Sequence, residues 1–395
     1  MIKSFFWSKK WFWWAYGIGS LLVLFSYGLV HLSVLFNKWY GDFYNIMQKP
    51  KQYTLQDFNA GLERFMWLAI CYILLAVVMN YVARHYVFRW RTAITYNYLP
   101  RWRRVSTKIE GESQRMQEDP AEFANILESL GLKVINATMT LIAFVPVLWQ
   151  LSKNIDSKSR YLLDTGTLWT ALVVWLMIIP VLIICWRRII GKILLKINIK
   201  NCLLLVLSIA IVIFTIVGYY FLSFLWTFGE FPGSLVWTAL VVSIGGMTIT
   251  WLVAWWLPKL EYNNQVVEAA FRKELVLAEE DKTNHSDLIT LFGLFTGVKF
   301  NYYRLYLHYG YVDLWLHMYN QTMVVLPYIV AGPSLMAEIA TLGVVVQVAN
   351  AFGEVRSSLA VIIDNWTRVT RVRSIWRRLH EFERNMDKCA VAEMQ

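Results

Sequence analysis

Charged residues and cysteine are both scarce in this sequence. Asp, Glu, Lys and Arg make up 16% of the 395 residues, whereas soluble domains carry about 25%. The four cysteines are not spaced as in a disulfide framework or a zinc site. Hydrophobic residues account for 57% of the chain. The composition therefore excludes an ordinary soluble domain and indicates a polytopic membrane protein.

Enzyme signatures are missing as well. The chain has no G-x-x-x-x-G-K-[ST] phosphate loop, since the nearest stretch, at Gly191-Lys192, lacks the first glycine and the following Ser or Thr. It has no H-E-x-x-H, no G-x-S-x-G and no cluster of His and Cys. We therefore expect no catalytic residue, and neither ATP, metal nor another cofactor bound by this chain. A membrane-embedded enzyme acting on lipid, the alternative from another class, would need a reactive nucleophile that the sequence does not offer.

Eight apolar segments are long enough to cross a bilayer, which takes about 20 residues. Lys and Arg number 29 in the two termini and the loops on their side, against 7 in the alternate loops. Because positive charge marks the cytoplasmic side, the sequence predicts both termini in the cytoplasm and loops 152–167 and 227–234 on the opposite side. The predicted spans are Phe12–Phe36, Phe65–Phe88, Val134–Leu151, Leu168–Trp186, Cys202–Trp226, Leu235–Trp256, Tyr311–Leu335 and Ile339–Ile363.

The stretch RHYVFRWRTAITYNYLPRWRRV, residues 84–105, combines six arginines with six aromatic residues. Such a mixture can bind single-stranded nucleic acid by stacking on bases and neutralising phosphates. At the cytoplasmic end of the second predicted span, the same residues suit anionic lipid head groups, with Trp90 and Trp102 at the membrane interface. We therefore expect membrane lipids, and not nucleic acid, as the partner of this stretch.

Two cytoplasmic segments keep a helical pattern beyond the spans. Asp119 as N-cap predicts a helix over Pro120–Leu151, about 48 Å long against a hydrocarbon core of about 30 Å. The sixth span continues in a helical period through Pro258 to about Asp281. No segment suggests a separate soluble domain, so residues 1–395 are expected to form one all-α transmembrane domain. Its membrane helices are expected to extend into the cytoplasm as two stalks, 89–133 and 257–310.

Three carboxylates of the second stalk share one side of a helix with an arginine. Glu261, Glu268, Arg272 and Glu279 fall within about 20° of one line, and we call the three glutamates the carboxylate ladder. One interpretation is the solvated face of an amphipathic helix. The other is a proton path, because closely spaced carboxylates raise one another's pKa and exchange protons near neutral pH.

Polar residues also share helix faces inside three predicted spans. Exposing such groups to lipid costs several kcal/mol, so each face either lines a water-filled cavity or forms a hydrogen-bonded contact with a neighbouring helix. Asp313 and His317, four residues apart, either relay protons or form a bonded pair that fixes two helices. The faces consist of Asn125, Ser129, Asn136 and Thr140 beside Glu128 in the third span; Tyr309, Asp313, His317 and Asn320 in the seventh; and Gln347, Asn350, Glu354, Ser358 and Asn365 in the eighth.

Six motifs, in register along the chain, resemble the SbmA/BacA-like peptide transporters of Gram-negative inner membranes. The resemblance implies a homodimer built like the membrane domain of an ATP-binding-cassette (ABC) exporter without a nucleotide-binding domain. It also implies import of antimicrobial peptides and other bulky peptide-like substrates, driven by the proton gradient. A membrane subunit that works with a separate ATPase is the competing interpretation. The motifs are RHYVFRWRTA, QRMQEDPAEFA, INATMTLIAFVPVL, PKLEYNNQVVEAAFRKELV, NYYRLYLHY and FGEVRSSLAVIIDNWT.

The resemblance also implies which carboxylates carry protons, since acidic residues around the cavity and stalks of that family are implicated in proton coupling. Matched motif by motif, they are Glu118, Glu128, Glu261, Glu268, Glu274 and Glu279. The helical faces add Asp313, His317 and Glu354 to these candidates. The substrate-cavity candidates are Asn136, Thr140, Tyr309, Asn320, Gln347, Asn350 and Ser358. The chain departs from the family at 152–232, where two hydrophobic spans form an inserted hairpin.

Overall fold

The computed structural model describes residues 2–105, 112–153, 155, 233–282 and 287–392. Within these ranges the chain is helical and contains no β-strand, which agrees with the predicted all-α class. A single 3-10 turn and a π-helical segment lie between the first two α-helices. The α-helices of the described ranges are α1 (Ile2–Phe6), α2 (Gly19–Gln48), α3 (Leu55–Trp102), α4 (Glu112–Ser152), α5 (Ser234–Ala254), α6 (Leu257–Glu280), α7 (Leu288–Met336), α8 (Leu342–Asp364) and α9 (Trp366–Ala392).

Four helices of the described part are long and apolar enough to cross a membrane. They match the first, second, third and sixth predicted spans. The predicted fourth and fifth spans, within the inserted hairpin, lie outside the described residues. Helices α7 and α8 occupy the seventh and eighth predicted spans, and neither is among the four. The four membrane-crossing helices are Trp13–Gln48, Leu55–Trp102, Glu112–Ser152 and Ser234–Glu280.

Several of these helices are longer than a bilayer requires. Helix α3 has 48 residues and α4 has 41, which correspond to about 72 Å and about 62 Å at 1.5 Å per residue. The hydrocarbon core is about 30 Å thick, so each helix is about twice as long as that thickness. For α4, this length compares with the about 48 Å predicted for Pro120–Leu151.

The predicted start of α4 is wrong. The helix begins at Glu112, seven residues before the expected N-cap Asp119. Asp119 lies inside the helix, where its side chain is 2% exposed and accepts two hydrogen bonds from Arg378 of α9, at 2.6 and 3.0 Å. Because the guanidinium satisfies this carboxylate, Asp119 is not needed to cap backbone N–H groups, and the helix continues toward its N-terminus.

The helix after the sixth span is interrupted where the sequence predicted continuity. Helix α5 ends at Ala254, and α6 begins at Leu257 with Pro258 in its first turn. Proline has no backbone N–H and its ring clashes with the carbonyl four residues earlier, which explains the break at Trp255–Trp256. The predicted end near Asp281 is confirmed, since α6 ends at Glu280.

Two hydrophobic clusters hold the helices together. The first joins the N-terminal segment to α3, the start of α4 and α9. Trp90 lies in this cluster, 4% exposed, with its ring 5.6 Å from Phe5 and 5.9 Å from Phe123. Its predicted place at the lipid interface is therefore wrong, because neighbouring helices cover the indole. The second cluster joins the end of α4 to α5, α7 and α8.

Candidate functional site

Helices α6 and α7 pack side by side in opposite directions, and two glutamate–tyrosine pairs join them. The Tyr309 hydroxyl donates to Glu261, and the Tyr302 hydroxyl donates to Glu268. The two glutamates are seven residues apart on α6, and the two tyrosines are seven residues apart on α7. Seven residues make about two helical turns, so both pairs lie on the same face of each helix. Among the described helices, α6 packs extensively only against α7. The two pairs therefore fix how this helix lies on its neighbour.

The tyrosines stay neutral donors at physiological pH. Burial first, and then the hydrogen bond and charge of Glu261, raise the pKa of Tyr309 to about 12. The hydrogen bond to Glu268 is the main cause that raises the pKa of Tyr302. A hydroxyl that bonds a carboxylate loses its proton less readily, because the phenolate would face a like charge.

The two paired glutamates are too far apart to exchange a proton directly. Seven residues of helix separate Glu261 from Glu268 by about 10.5 Å along the axis. Asn264 lies between them, 7% exposed, and its buried side-chain oxygen has no hydrogen-bond partner among the described residues. A proton path along this face therefore needs hydroxyl groups or water between the carboxylates.

A cleft of about 630 Å³ opens beside Glu268 on the α6–α7 surface. Two phenylalanines form its apolar wall, while Arg272 and Lys299 carry positive charge at its edges. The cleft gives solvent access to the Glu268–Tyr302 pair. Its lining residues are Glu268, Phe271, Arg272, Leu275, Phe295, Val298, Lys299 and Tyr302.

The other four glutamates named from the family motifs differ in exposure. Glu279, the third member of the carboxylate ladder, is exposed near the end of α6. Glu118 is exposed near the start of α4, whereas Glu128 on α4 and Glu274 on α6 are half-buried. The structure thus brings two of the six glutamates named from the family motifs into contact with tyrosines of a second helix.

The polar face of α7 continues from these pairs toward the seventh predicted span. Tyr302, Tyr309, Asp313, His317 and Asn320 fall within about 80° of one another on the helix. Asp313 and His317 are exposed, and within the described residues no hydrogen bond joins them. Asn320 accepts a hydrogen bond from Arg356 of α8. The polar face of α7 therefore ends at Arg356, which the sequence patterns did not predict as a site residue.

Three members of the eighth-span face contact neighbouring helices or their own backbone. The Gln347 amide donates to the Lys38 carbonyl of α2 at 3.4 Å, and Asn365 accepts from Lys133 of α4 at 2.7 Å. The Ser358 hydroxyl donates to the Glu354 carbonyl one turn earlier at 2.7 Å. The first two bonds favour the helix-contact interpretation for Gln347 and Asn365, whereas Ser358 bonds only the backbone of its own helix.

Two amides of this region each have a buried polar atom that no described residue bonds. They are the side-chain oxygen of Asn136 on α4 and the side-chain nitrogen of Asn350 on α8. Such an atom costs about 1–3 kcal/mol, so these positions favour the cavity interpretation. Thr140 on α4 is 8% exposed, and the Glu354 side chain on α8 is half-buried.

The sequence analysis missed Tyr302, Arg356 and the Asp119–Arg378 pair. The sequence shows the same seven-residue spacing between Tyr302 and Tyr309 as between Glu261 and Glu268. Only the packing of α6 on α7 shows that the tyrosines bond the glutamates. A lone arginine within an apolar segment was the available signal for Arg356.

Comparison with known proteins agrees with this architecture. A sequence model of the SbmA/BacA-like family matches residues 8–201 and 192–387. The Escherichia coli "Inner membrane ABC transporter ATP-binding protein YddA" is 22% identical over 377 residues, covering 90% of this chain. The chain spans about half of that relative's length, 54%. The Arabidopsis thaliana "ABC transporter D family member 2, chloroplastic" is 30% identical over 128 residues, which are 30% of this chain and 18% of the plant protein.

Proposed function

Because the chain belongs to the SbmA/BacA-like family, we propose that it is a proton-gradient-driven importer of antimicrobial peptides and other bulky peptide-like substrates. It acts as a homodimer in the inner membrane of a Gram-negative cell, with eight spans per protomer and both termini in the cytoplasm. That the chain is a membrane transporter follows from its family and its apolar helices. The driving force, the substrate and the dimer are the proposal.

The observation that carries the proposal is the pair of glutamate–tyrosine bonds between α6 and α7. An ionised carboxylate accepts a strong hydrogen bond from a phenol, and protonation of the carboxylate removes the charge that makes this bond strong. Proton uptake at Glu261 and Glu268 therefore weakens the two contacts that fix α6 on α7. Proton release restores them.

Proton uptake at Glu261 and Glu268 is thereby coupled to a movement of α7 relative to α6. Helix α7 carries the polar face that runs from Tyr302 to Asn320, about 27 Å at 1.5 Å per residue. A shift of α7 relative to α6 changes the polar surface that this face offers to a substrate. The proton gradient drives the cycle if the glutamates take up protons from the outer side and release them to the cytoplasm.

A second candidate is the membrane half of an ABC transporter that works with a separate ATPase. It is favoured by the E. coli relative, which is named as an ABC transporter ATP-binding protein and of which the chain spans 54%. The present sequence itself has no phosphate loop of the G-x-x-x-x-G-K-[ST] type.

Uptake in cells separates the two candidates. A protonophore collapses the proton gradient while the ATP level is kept constant by fermentable substrate. Loss of peptide uptake under these conditions supports the proton-driven importer, whereas full uptake supports the partner ATPase.

The Glu268→Gln variant tests the coupling site itself. Gln keeps the shape of the side chain but cannot carry a proton, so peptide-dependent acidification of vesicles that contain the purified variant is expected to stop. Expression, dimerisation and peptide binding should persist. Full proton flux in this variant would remove Glu268 from the mechanism. Glu280→Gln serves as the control, because Glu280 is exposed on the same helix and lies outside the carboxylate ladder.

A further inference from the structure

Arg356 carries a positive charge in a predicted membrane helix, on the side of α8 opposite to Gln347 and Ser358. Its side chain is half-buried and faces α7, where it bonds Asn320. An ionisable residue at such a position is costly and usually marks a functional site. The mechanism proposed above does not use it.

The guanidinium is held in a fixed place. It lies over the ring of Tyr319, 5.3 Å from the ring centroid, and donates to the Asn320 side chain. Trp315 stacks on Tyr319 at 6.2 Å and donates to the Thr250 hydroxyl at 2.9 Å. The two aromatic rings are thereby tied to α5, which restricts the orientation of the arginine.

Tyr319 fits closely against the backbone of α5. A side-chain carbon added at Gly246 would overlap the tyrosine ring. The glycine is therefore needed for the ring to lie where it supports Arg356. An arginine placed in this way is oriented before any ligand arrives, which reduces the entropy cost of binding.

The partners of Arg356 are neutral. Among the described residues it forms no ion pair with a carboxylate, and one of its five N–H groups is taken up by Asn320. Lys133, nearby on α4, is likewise bonded to an amide, that of Asn365, at 2.7 Å. Asp364 is close enough to be affected by both cations. Two basic groups thus share one acidic neighbour, which leaves an excess of positive charge.

On the basis of the import function, we propose that Arg356 binds a carboxylate of the transported substrate, such as the C-terminal carboxylate of a peptide. The planar guanidinium offers parallel N–H groups that match the two oxygens of a carboxylate. Asn320 and the ring of Tyr319 hold one edge and one face of the guanidinium, so the ligand binds at the remaining edge. The site lies at the end of the α7 polar face that begins at the Glu268–Tyr302 pair.

The test uses two fluorescent peptides of identical sequence, one with a free C-terminal carboxylate and one with a C-terminal amide. Binding to the purified protein is measured by fluorescence anisotropy, and uptake is measured in vesicles with an imposed pH gradient. The wild-type protein is expected to bind the acid at least about tenfold more tightly than the amide, the range of a charge-assisted hydrogen bond. The same ratio is expected in KM.

Variants assign this preference to the arginine. Arg356→Gln is expected to reduce the ratio between amide and acid to about one, and Arg356→Lys to retain part of it, because lysine keeps the charge but not the planar fork. Arg304→Gln is the matched control, since Arg304 also lies over an aromatic ring, that of Phe300, but on the stalk part of α7. It should keep the wild-type ratio.

Each outcome decides the proposal. Equal affinity of the wild-type protein for acid and amide overturns it, whether or not Arg356→Gln folds, and would point to an anion such as a lipid phosphate at this arginine. An unchanged ratio in Arg356→Gln overturns it as well. A tenfold ratio in binding without any uptake in vesicles would support the carboxylate site while contradicting the import function.

Discussion

Replacement of Tyr309 by Phe isolates one of the two bonds between α6 and α7. The variant keeps the ring and loses the hydroxyl that donates to Glu261. A hydrogen bond to a charged group contributes about 1.5–3 kcal/mol, but both side chains are partly exposed and water replaces part of the bond. We therefore expect a loss of about 1 kcal/mol in the stabilisation of the ionised carboxylate.

That loss has a definite sign in a pH profile. Without the donor, the state in which α6 is held on α7 is less stable, and about 1 kcal/mol corresponds to roughly 0.7 unit in the pH midpoint of uptake. The pKa of Tyr309 is raised to about 12, chiefly by burial, so the wild-type hydroxyl remains a donor throughout the assay range. The midpoint of the profile therefore does not reflect ionisation of this tyrosine.

The assay measures peptide uptake by proteoliposomes over a series of pH values at a constant pH difference across the membrane. Tyr309→Phe is expected to shift the midpoint of uptake upward by about 0.7 unit. Tyr306→Phe is the matched control, because Tyr306 lies on the same helix, is 57% exposed and donates to no described side chain. A Tyr309→Phe profile that coincides with the wild-type profile, or an equal shift in the control, would refute the coupling argument.

Three further predictions concern stability, the buried amides and topology. Arg378→Ala is expected to lower the free energy of unfolding by about 2–3 kcal/mol, because it leaves Asp119 buried without its partner. Arg371→Ala removes a pair that is partly exposed and should lower it by less than about 1 kcal/mol. Thermal unfolding in detergent measures both variants, and equal effects would contradict the argument. Asn350→Leu is expected to leave the protein folded and inserted yet impair uptake if this amide borders a cavity; misfolding without a specific transport defect would favour a dry helix contact. Single cysteines in the 152–167 loop, placed in a background without native cysteines, should react with an impermeant thiol reagent in intact cells, and labelling only after lysis would reverse the predicted topology.

The sequence alone determined that the protein is a helical membrane protein, where its apolar helices lie, and which residues share a helix face. Apolar runs of about twenty residues form helices in a bilayer because every backbone group must be bonded within its own segment. For the same reason, four of the predicted spans coincide with long apolar helices of the structure. The alignment of Glu261 with Glu268 also follows from helix geometry alone, and no partner helix is needed to predict it.

Tertiary structure decided which partner each polar group has. The Asp-Pro pair looks like a helix start in the sequence, but Arg378, some 260 residues away in the chain, takes up the Asp119 carboxylate and the helix begins earlier. Trp90 is covered by Phe5 and Phe123 and not by lipid. A local sequence pattern predicts the direction in which a side chain points. The atom that the side chain contacts depends on how helices from distant parts of the chain pack together. For that reason, only the folded chain shows the tyrosine partners of Glu261 and Glu268 and the neutral side chains that Arg356 contacts.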